Sequence, residues 1–172
     1  MQRVNSLPES WWRNVVFFLI ALLVVAADQL SKSWIRSNLA VGESIPETGF
    51  LRLIHVRNTG ASFGLFQDQA LLITVVAFIG IAVLLFFVLF MHRRFPFLAT
   101  MPAKLALGSI CGGTVGNLTD RLNHGYVTDF IDIGHWPTFN IADSTVVVGS
   151  IVLAYLLIRL AESSEHSDGQ SI

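Results

Sequence analysis

The sequence predicts an all-α integral membrane protein, four transmembrane helices with a small extracytoplasmic β-sheet, and three observations predict it. The 172 residues are 53% apolar and only 13% charged, about half the usual ~25%, and the mean hydropathy is +0.62. Such a chain lacks the charged skin of a soluble domain. Four apolar runs approach the ~20 helical residues that a ~30 Å bilayer core requires. Between the first two runs, Phe50 to Val56 is rich in apolar and β-branched residues and reads as extended.

The first run spans about Trp12 to Ala27 behind Arg3 and Arg13. Those charges and the ending Val25-Ala26-Ala27 would also suit a cleavable signal peptide. The apolar periodicity nevertheless continues past Asp28 through Leu30, Trp34 and Ile35, so the segment is retained. Asp28, Lys32 and Arg36 then share a face at i, i+4 and i+8, acid before base as a helix prefers, and read as a salt bridge where the helix meets the interface. The outer loop that follows, about forty residues, is too long for a plain connector. Past Pro46 it holds the extended segment and then a turn, Asn58-Thr59-Gly60.

The second run, Ala70 to Phe90, contains no charge. The third, about Lys104 to Leu118, is short and carries Gly108, Gly112 and Gly116 at intervals of four, with Ser109 and Gly113 one position on. Small residues at that spacing let a neighbouring helix backbone approach closely. Continued by fours, one stripe reaches Asp120 and the other Asn117 and Arg121, which brings amide, acid and guanidinium to the outer membrane surface. A structural ion pair capping the helix end is the alternative for Asp120 and Arg121. From Gly125 to Gly134 the residues alternate, with Val127, Asp129, Ile131 and Ile133 on one face and Tyr126, Thr128, Phe130 and Asp132 on the other. The fourth run, Ile141 to Leu160, carries Asp143 near its start, and the polar tail 161–172 reads as disordered.

An even number of spans puts both termini on one side. The compact Arg93-Arg94 pair beside a span end places that side in the cytoplasm, so residues 28–69 and 119–140 face outward. With 11 Lys+Arg against 12 Asp+Glu there is no basic footprint for nucleic acid, which is excluded as a partner. The single cysteine, Cys111, is a packing residue. His124 and His135 flank Asp129 and Asp132 at spacings that match no metal motif. A serine protease needs Ser and His buried together, and none of the five histidines lies within a span.

The acids carry the chemistry. Asp129 lies among aliphatic residues, where desolvation disfavours its ionised form, whereas Asp143 at the start of the fourth span meets the helix dipole. Two acids in unlike surroundings make an acid/base pair. Brought together, they would share one proton and activate a water between them, as in an aspartic protease dyad. A proton or ion path is the rival reading, as in a small transporter that uses Asp28, Lys32, Asp120, Arg121 and Asp143. A purely structural subunit with a glycine seam is a third, which leaves the acids unexplained.

Five blocks in order, Asp28-Gln29-Leu30-Ser31-Lys32, Asn58-Thr59-Gly60-Ala61-Ser62-Phe63, Gly112 through Arg121, Val127-Thr128-Asp129-Phe130-Ile131-Asp132 and Phe139-Asn140-Ile141-Ala142-Asp143-Ser144, resemble the lipoprotein signal peptidase (signal peptidase II) family over roughly residues 12–160. The resemblance implies a single membrane-embedded peptidase domain over residues 1–172, with a surface helix added to the sheet. It implies an aspartyl endopeptidase whose dyad is Asp129 and Asp143. Such an enzyme removes the signal peptide of bacterial prolipoproteins just before a diacylglyceryl-modified cysteine. It works at the outer face of the cytoplasmic (inner) membrane and is blocked by the cyclic peptide globomycin. By the same matching, Asn58, Gly60, Asn117, Arg121 and Asn140 hold the peptide, while Asp28, Lys32, Asp120 and Phe139 support the site. No cofactor and no metal are implied; the partners are the lipidated substrate, membrane lipid and globomycin, and the chain is expected to be a monomer. The connection Phe130 to Ala142 is shorter than the family's, where it varies and can act as a flap over the substrate. Asp132, on the opposite face of its strand, points away from the dyad.

Overall fold

A computed structural model describes residues 10–60, 69–91 and 94–169. Helix α1 (Ser10–Asn38) leads into strands β1 (Ser44–Ile45) and β2 (Leu51–Asn58), then α2 (Ala70–Phe90), a short 3-10 turn at Pro96–Ala99, α3 (Met101–His124), β3 (Val127–Ile133), β4 (Trp136–Phe139) and α4 (Ile141–Gly169).

Among the described residues three helices are long and apolar enough to cross a membrane, over Trp11–Asn38, Leu71–Phe90 and Ile141–Ser163. Their outward faces carry Leu22, Phe78 and Ile151, all exposed, the apolar surface a helix presents to lipid. Helix α3 is different. It packs against the other three, and its buried face holds Ala106, Gly108, Cys111, Gly112, Gly113 and Gly116. The glycines set how close its neighbours come. A Cβ at Gly108 would lie 2.8 Å from Phe17 O, and one at Gly112 would lie 2.6 Å from Ala21 O, both on α1. A Cβ at Gly113 would collide with Ala142 O of α4. The two stripes therefore face two different helices. Proline near its first turn starts α3. Gly125 at φ 79° ends it, with the Gly125 N–H donating to Arg121 O.

Phe17, Val88, Leu98, Leu107 and Cys111 form one apolar core where α1, α2 and α3 meet. Ile35, Leu39 and Phe130 form another, beneath the sheet. The four-stranded sheet is antiparallel in the order β1-β2-β3-β4, with Val56 opposite Asp129 and Ile131 opposite Phe139. The extended segments and the alternation expected of residues 125–134 are thus both realised.

Some boundaries differ. Helix α1 continues past the first apolar run to Asn38, as the periodicity beyond Asp28 leads one to expect, and buries Asp28 and Lys32 against the rest of the molecule. The tail from Ala161 is helical to Gly169 rather than disordered. The i,i+3 pair Arg159–Glu162, at 3.8 Å, is compatible with carrying the helix past Leu160. The outer loop holds no surface helix among its described residues, and residues 61–68 lie outside them.

Candidate active site

The start of α4 explains how the site is built. Asn140 is the residue before the helix and Asp143 the third within it. The Asn140 side-chain oxygen accepts the Asp143 N–H at 2.9 Å, and the Asp143 carboxylate accepts the Asn140 N–H at 3.2 Å. This is a reciprocal capping box, which satisfies helix-end donors that would otherwise be orphaned. The next free amide, Ala142 N–H, donates to Asp28 Oδ1 of α1 at 3.0 Å. Asp143 is thereby held at a defined position with one carboxylate oxygen left for Asn117, whose Nδ2 donates to it at 2.8 Å.

Asp129 comes from β3 and is almost completely buried, 3% exposed. Asn140 Nδ2 donates to its Oδ1 at 2.7 Å, and Asn58 Nδ2 to its Oδ2 at 2.8 Å. One residue, Asn140, therefore bonds both acids. Burial is the first cause that pushes the Asp129 carboxyl up to about 7, with the charge of Asp143 adding to it. The hydrogen bonds from Asn58 and Asn140, and the charge of Lys32, oppose that shift.

Beneath the acids lies a buried ionic layer. Lys32 Nζ sits 2.8 Å from Asp28 Oδ2, 3.4 Å from Asp120 Oδ2 and 2.8 Å from Asn117 Oδ1. Asp120 also accepts from Arg36 at 3.2 Å and from the Thr128 N–H at 2.8 Å, tying α1 and α3 to β3. Asp28, Lys32 and Asp120 are each fully buried. A buried charge this well partnered specifies geometry, since removing one partner strands the others. Gln29, which sequence reasoning passed over, belongs to the same layer and donates to Gly116 O at 3.0 Å.

Asn58 also bends the chain behind β2. Its side-chain oxygen accepts the Gly60 N–H at 2.9 Å, an Asx turn, and Gly60 O accepts from Arg121 Nη2 at 3.0 Å. Arg121 Nε is buried and makes no hydrogen bond among the described residues. Asp132 points away, bonded by Arg52 Nε at 2.8 Å from the neighbouring strand.

Two cavities meet at the acids. One, between β4 and α4, is lined by Trp136, Pro137, Phe139, Val147 and Val148 with Asp129 and Asp143 at its edge. The other, among α2, α3 and α4, is lined by Ile73, Val76, Asn58, Asn117 and Arg121 with the same two acids. The structure thus brings together Asn58, Gly60, Asn117, Arg121, Asp129, Phe139, Asn140 and Asp143. The reciprocal cap was missed at the sequence level, although Asn140 and Asp143 stand at the capping-box spacing. Two carboxylates that share a donor, with cavities on both sides, can hold a water and pass a proton between them.

A model of the family described as signal peptidase (SPase) II matches residues 20–159. A lipoprotein signal peptidase of Dehalococcoides mccartyi is 49% identical over 156 residues, covering 91% of this chain and 96% of the relative. One from Moorella thermoacetica is 42% identical, covering 83% and 92%. Among solved structures, one described as a bacterial membrane enzyme at 2.3 Å resolution by the in meso method superposes with a TM-score of 0.75. It is 31% identical and covers 83% of this chain and 87% of its own.

Proposed function

The chain belongs to the signal peptidase II family, and from that premise we propose that it is an intramembrane aspartyl endopeptidase with Asp129 and Asp143 as its dyad. It removes the signal peptide of bacterial prolipoproteins on the N-terminal side of the diacylglyceryl-modified cysteine. The observation that carries this reading is the single Asn140 side chain and backbone bonded to both carboxylates, at 2.7 Å to Asp129 and 3.2 Å to Asp143.

Asp129, whose carboxyl is pushed up to about 7, is the member that carries the proton. Asp143 accepts a proton from water as the water oxygen attacks the scissile carbonyl carbon, and Asp129 donates its proton to the carbonyl oxygen. When the tetrahedral diol collapses, Asp129 recovers its proton and the C–N bond breaks. Asp143 hands its proton to the leaving nitrogen. The products are a carboxyl terminus on the signal peptide and a free amino group on the lipidated cysteine, and neither metal nor covalent intermediate takes part. Asn58, Asn117 and Arg121 hold the extended peptide, and Asp28, Lys32 and Asp120 fix the helices that carry the dyad.

In this reading α3 is the fourth span. Enclosed by the other three, it has no need of an apolar surface all round. Both termini lie in the cytoplasm, with the sheet and the dyad at the outer face of the inner membrane, and the protein acts as a monomer. Globomycin, a cyclic peptide, occupies the peptide's place.

Purified protein in detergent, given a prolipoprotein bearing diacylglyceryl-cysteine and the same chain unmodified, should cleave only the lipidated one and stop when globomycin is added. Asp129→Asn and Asp143→Asn should each abolish turnover in protein that still elutes and melts as a folded species. Near-normal cleavage by either variant would overturn the dyad.

A further inference from the structure

The two cavities that meet at the dyad differ in chemistry, and we infer that the one between β4 and α4 is the seat of an acyl chain of the substrate, with Trp136 as its wall. The inference rests on the peptidase reading above and assigns its lipid to one side of the dyad.

The cavity has a volume of about 290 Å³ and is lined by Trp136, Pro137, Phe139, Val147 and Val148, with Thr138 and Ser144 the only polar residues besides the acids among the described ones. A pocket near the low end of the roughly 300–1,000 Å³ of small-molecule sites holds the first part of a chain rather than two whole ones. Its continuation is on the page as well. Val148 is 60% exposed and Ile151, one turn on, is 63% exposed, both on a helix apolar enough to cross a membrane. Val147 and Val148, which line the cavity, are themselves exposed, so its α4 wall adjoins the apolar outer side of that helix. An acyl chain can enter from the bilayer while its glyceryl end stays at the acids.

The other cavity is the more polar of the two. Arg121, Asn58, Asn117 and Thr114 line it opposite Ile73, Val76 and Val146, and Arg121 Nε is buried without a hydrogen bond among the described residues. A hydrocarbon there would leave that donor unsatisfied, whereas an extended peptide brings carbonyl oxygens to meet it. The lipid-bearing cysteine adjoins the scissile bond, so its thioether must start within reach of the dyad. Both acids line the β4–α4 cavity, so a chain seated there starts within that reach. The wall belongs to the short β3–β4 hairpin. Gly134, at φ 54° and with its N–H donating to Phe50 O at 2.8 Å, turns the chain so that Trp136 begins β4 beside the cavity.

The test uses the whole protein with a lipidated peptide that spans the cleavage site and carries a diazirine midway along one palmitoyl chain. Irradiated with the Asp129→Asn protein, which retains the substrate, it should label residues 136–139 and 144–151. Labelling confined to Ile73, Val76 and Ala77, or none that excess unlabelled lipopeptide suppresses, would overturn the assignment. Cleavage gives a second reading, the ratio of kcat/KM for dipalmitoyl over dibutyryl substrate. Trp136→Ala should lower that ratio about tenfold by removing wall contact from several methylenes, and Trp136→Phe should restore most of it. An unchanged ratio would overturn the role of Trp136. Cleavage by the native protein with label on α2 defeats the cavity assignment and leaves the peptidase standing. Label at β4 and α4 without cleavage does the reverse.

Discussion

Asn140 donates its side-chain N–H to Asp129 while its backbone N–H and carboxamide oxygen engage Asp143, so one residue both caps α4 and sets the two acids against each other. Asn140→Ala should cost about 1 kcal/mol through the lost cap and about 10²-fold in kcat through misplaced acids. Thermal melts in detergent and single-turnover rates separate the two effects. The acids also predict a pH dependence. Asp129 holds its proton up to about 7, so kcat/KM should fall as pH rises through that value and the donating form is lost. The charge of Asp143 raises this carboxyl, so in Asp143→Asn the Asp129 titration, followed by carboxyl NMR, should move below 7. The hydrogen bond from Asn58 lowers it, so Asn58→Ala should move it upward. At this scale the sequence singled out both acids of the proposed dyad through their motifs. The surroundings of Asp129 were only half legible. Alternation put Val127 and Ile131 beside it, but Asn58 and Asn140, which donate to it, stand 71 and 11 positions away.

Among the elements, α3 is the one the others pack on, and its glycines decide how closely. Gly112→Ala would put a methyl 2.6 Å from Ala21 O, a backbone atom that cannot turn aside, and should destabilise by about 1–3 kcal/mol. Gly80→Ala on α2 meets nothing within 4 Å and should cost no stability. Comparing melting temperatures of the two variants tests whether close approach, rather than glycine as such, matters. The four-residue spacing was legible from sequence. That Gly112 meets α1 and Gly113 meets α4 was not, because adjacent positions on one helix point about 100° apart and only the packing says which neighbour lies on which side. The end of α1 shows the same limit. Asp28, Lys32 and Arg36 at i, i+4 and i+8 suggest a salt bridge at the helix end, and Lys32 does pair with Asp28 at 2.8 Å, but the spacing does not disclose that both are fully buried.

The ionic layer acts on the molecule as a whole. Lys32 of α1 holds Asp28, Asp120 of α3 and the Asn117 carboxamide that in turn donates to Asp143, so a single ammonium links the helix packing to the site. Lys32→Met would strand two buried carboxylates and should cost about 3–5 kcal/mol. It should also remove activity, read as a lowered melting temperature together with loss of cleavage of the lipidated substrate. A surface role for Lys32 predicts neither loss. The sequence by itself determined the membrane class, the uncharged helix Ala70–Phe90 and the alternating strand that holds Asp129, because run length and periodicity are written in neighbouring residues. Only the tertiary structure decided that Asn140 joins the two acids, that the glycine stripes serve different helices, and that Asp28 closes the start of α4. The contact between Asp28 and Ala142 spans 114 positions, and hydrogen-bond partners so far apart are chosen by how whole helices pack.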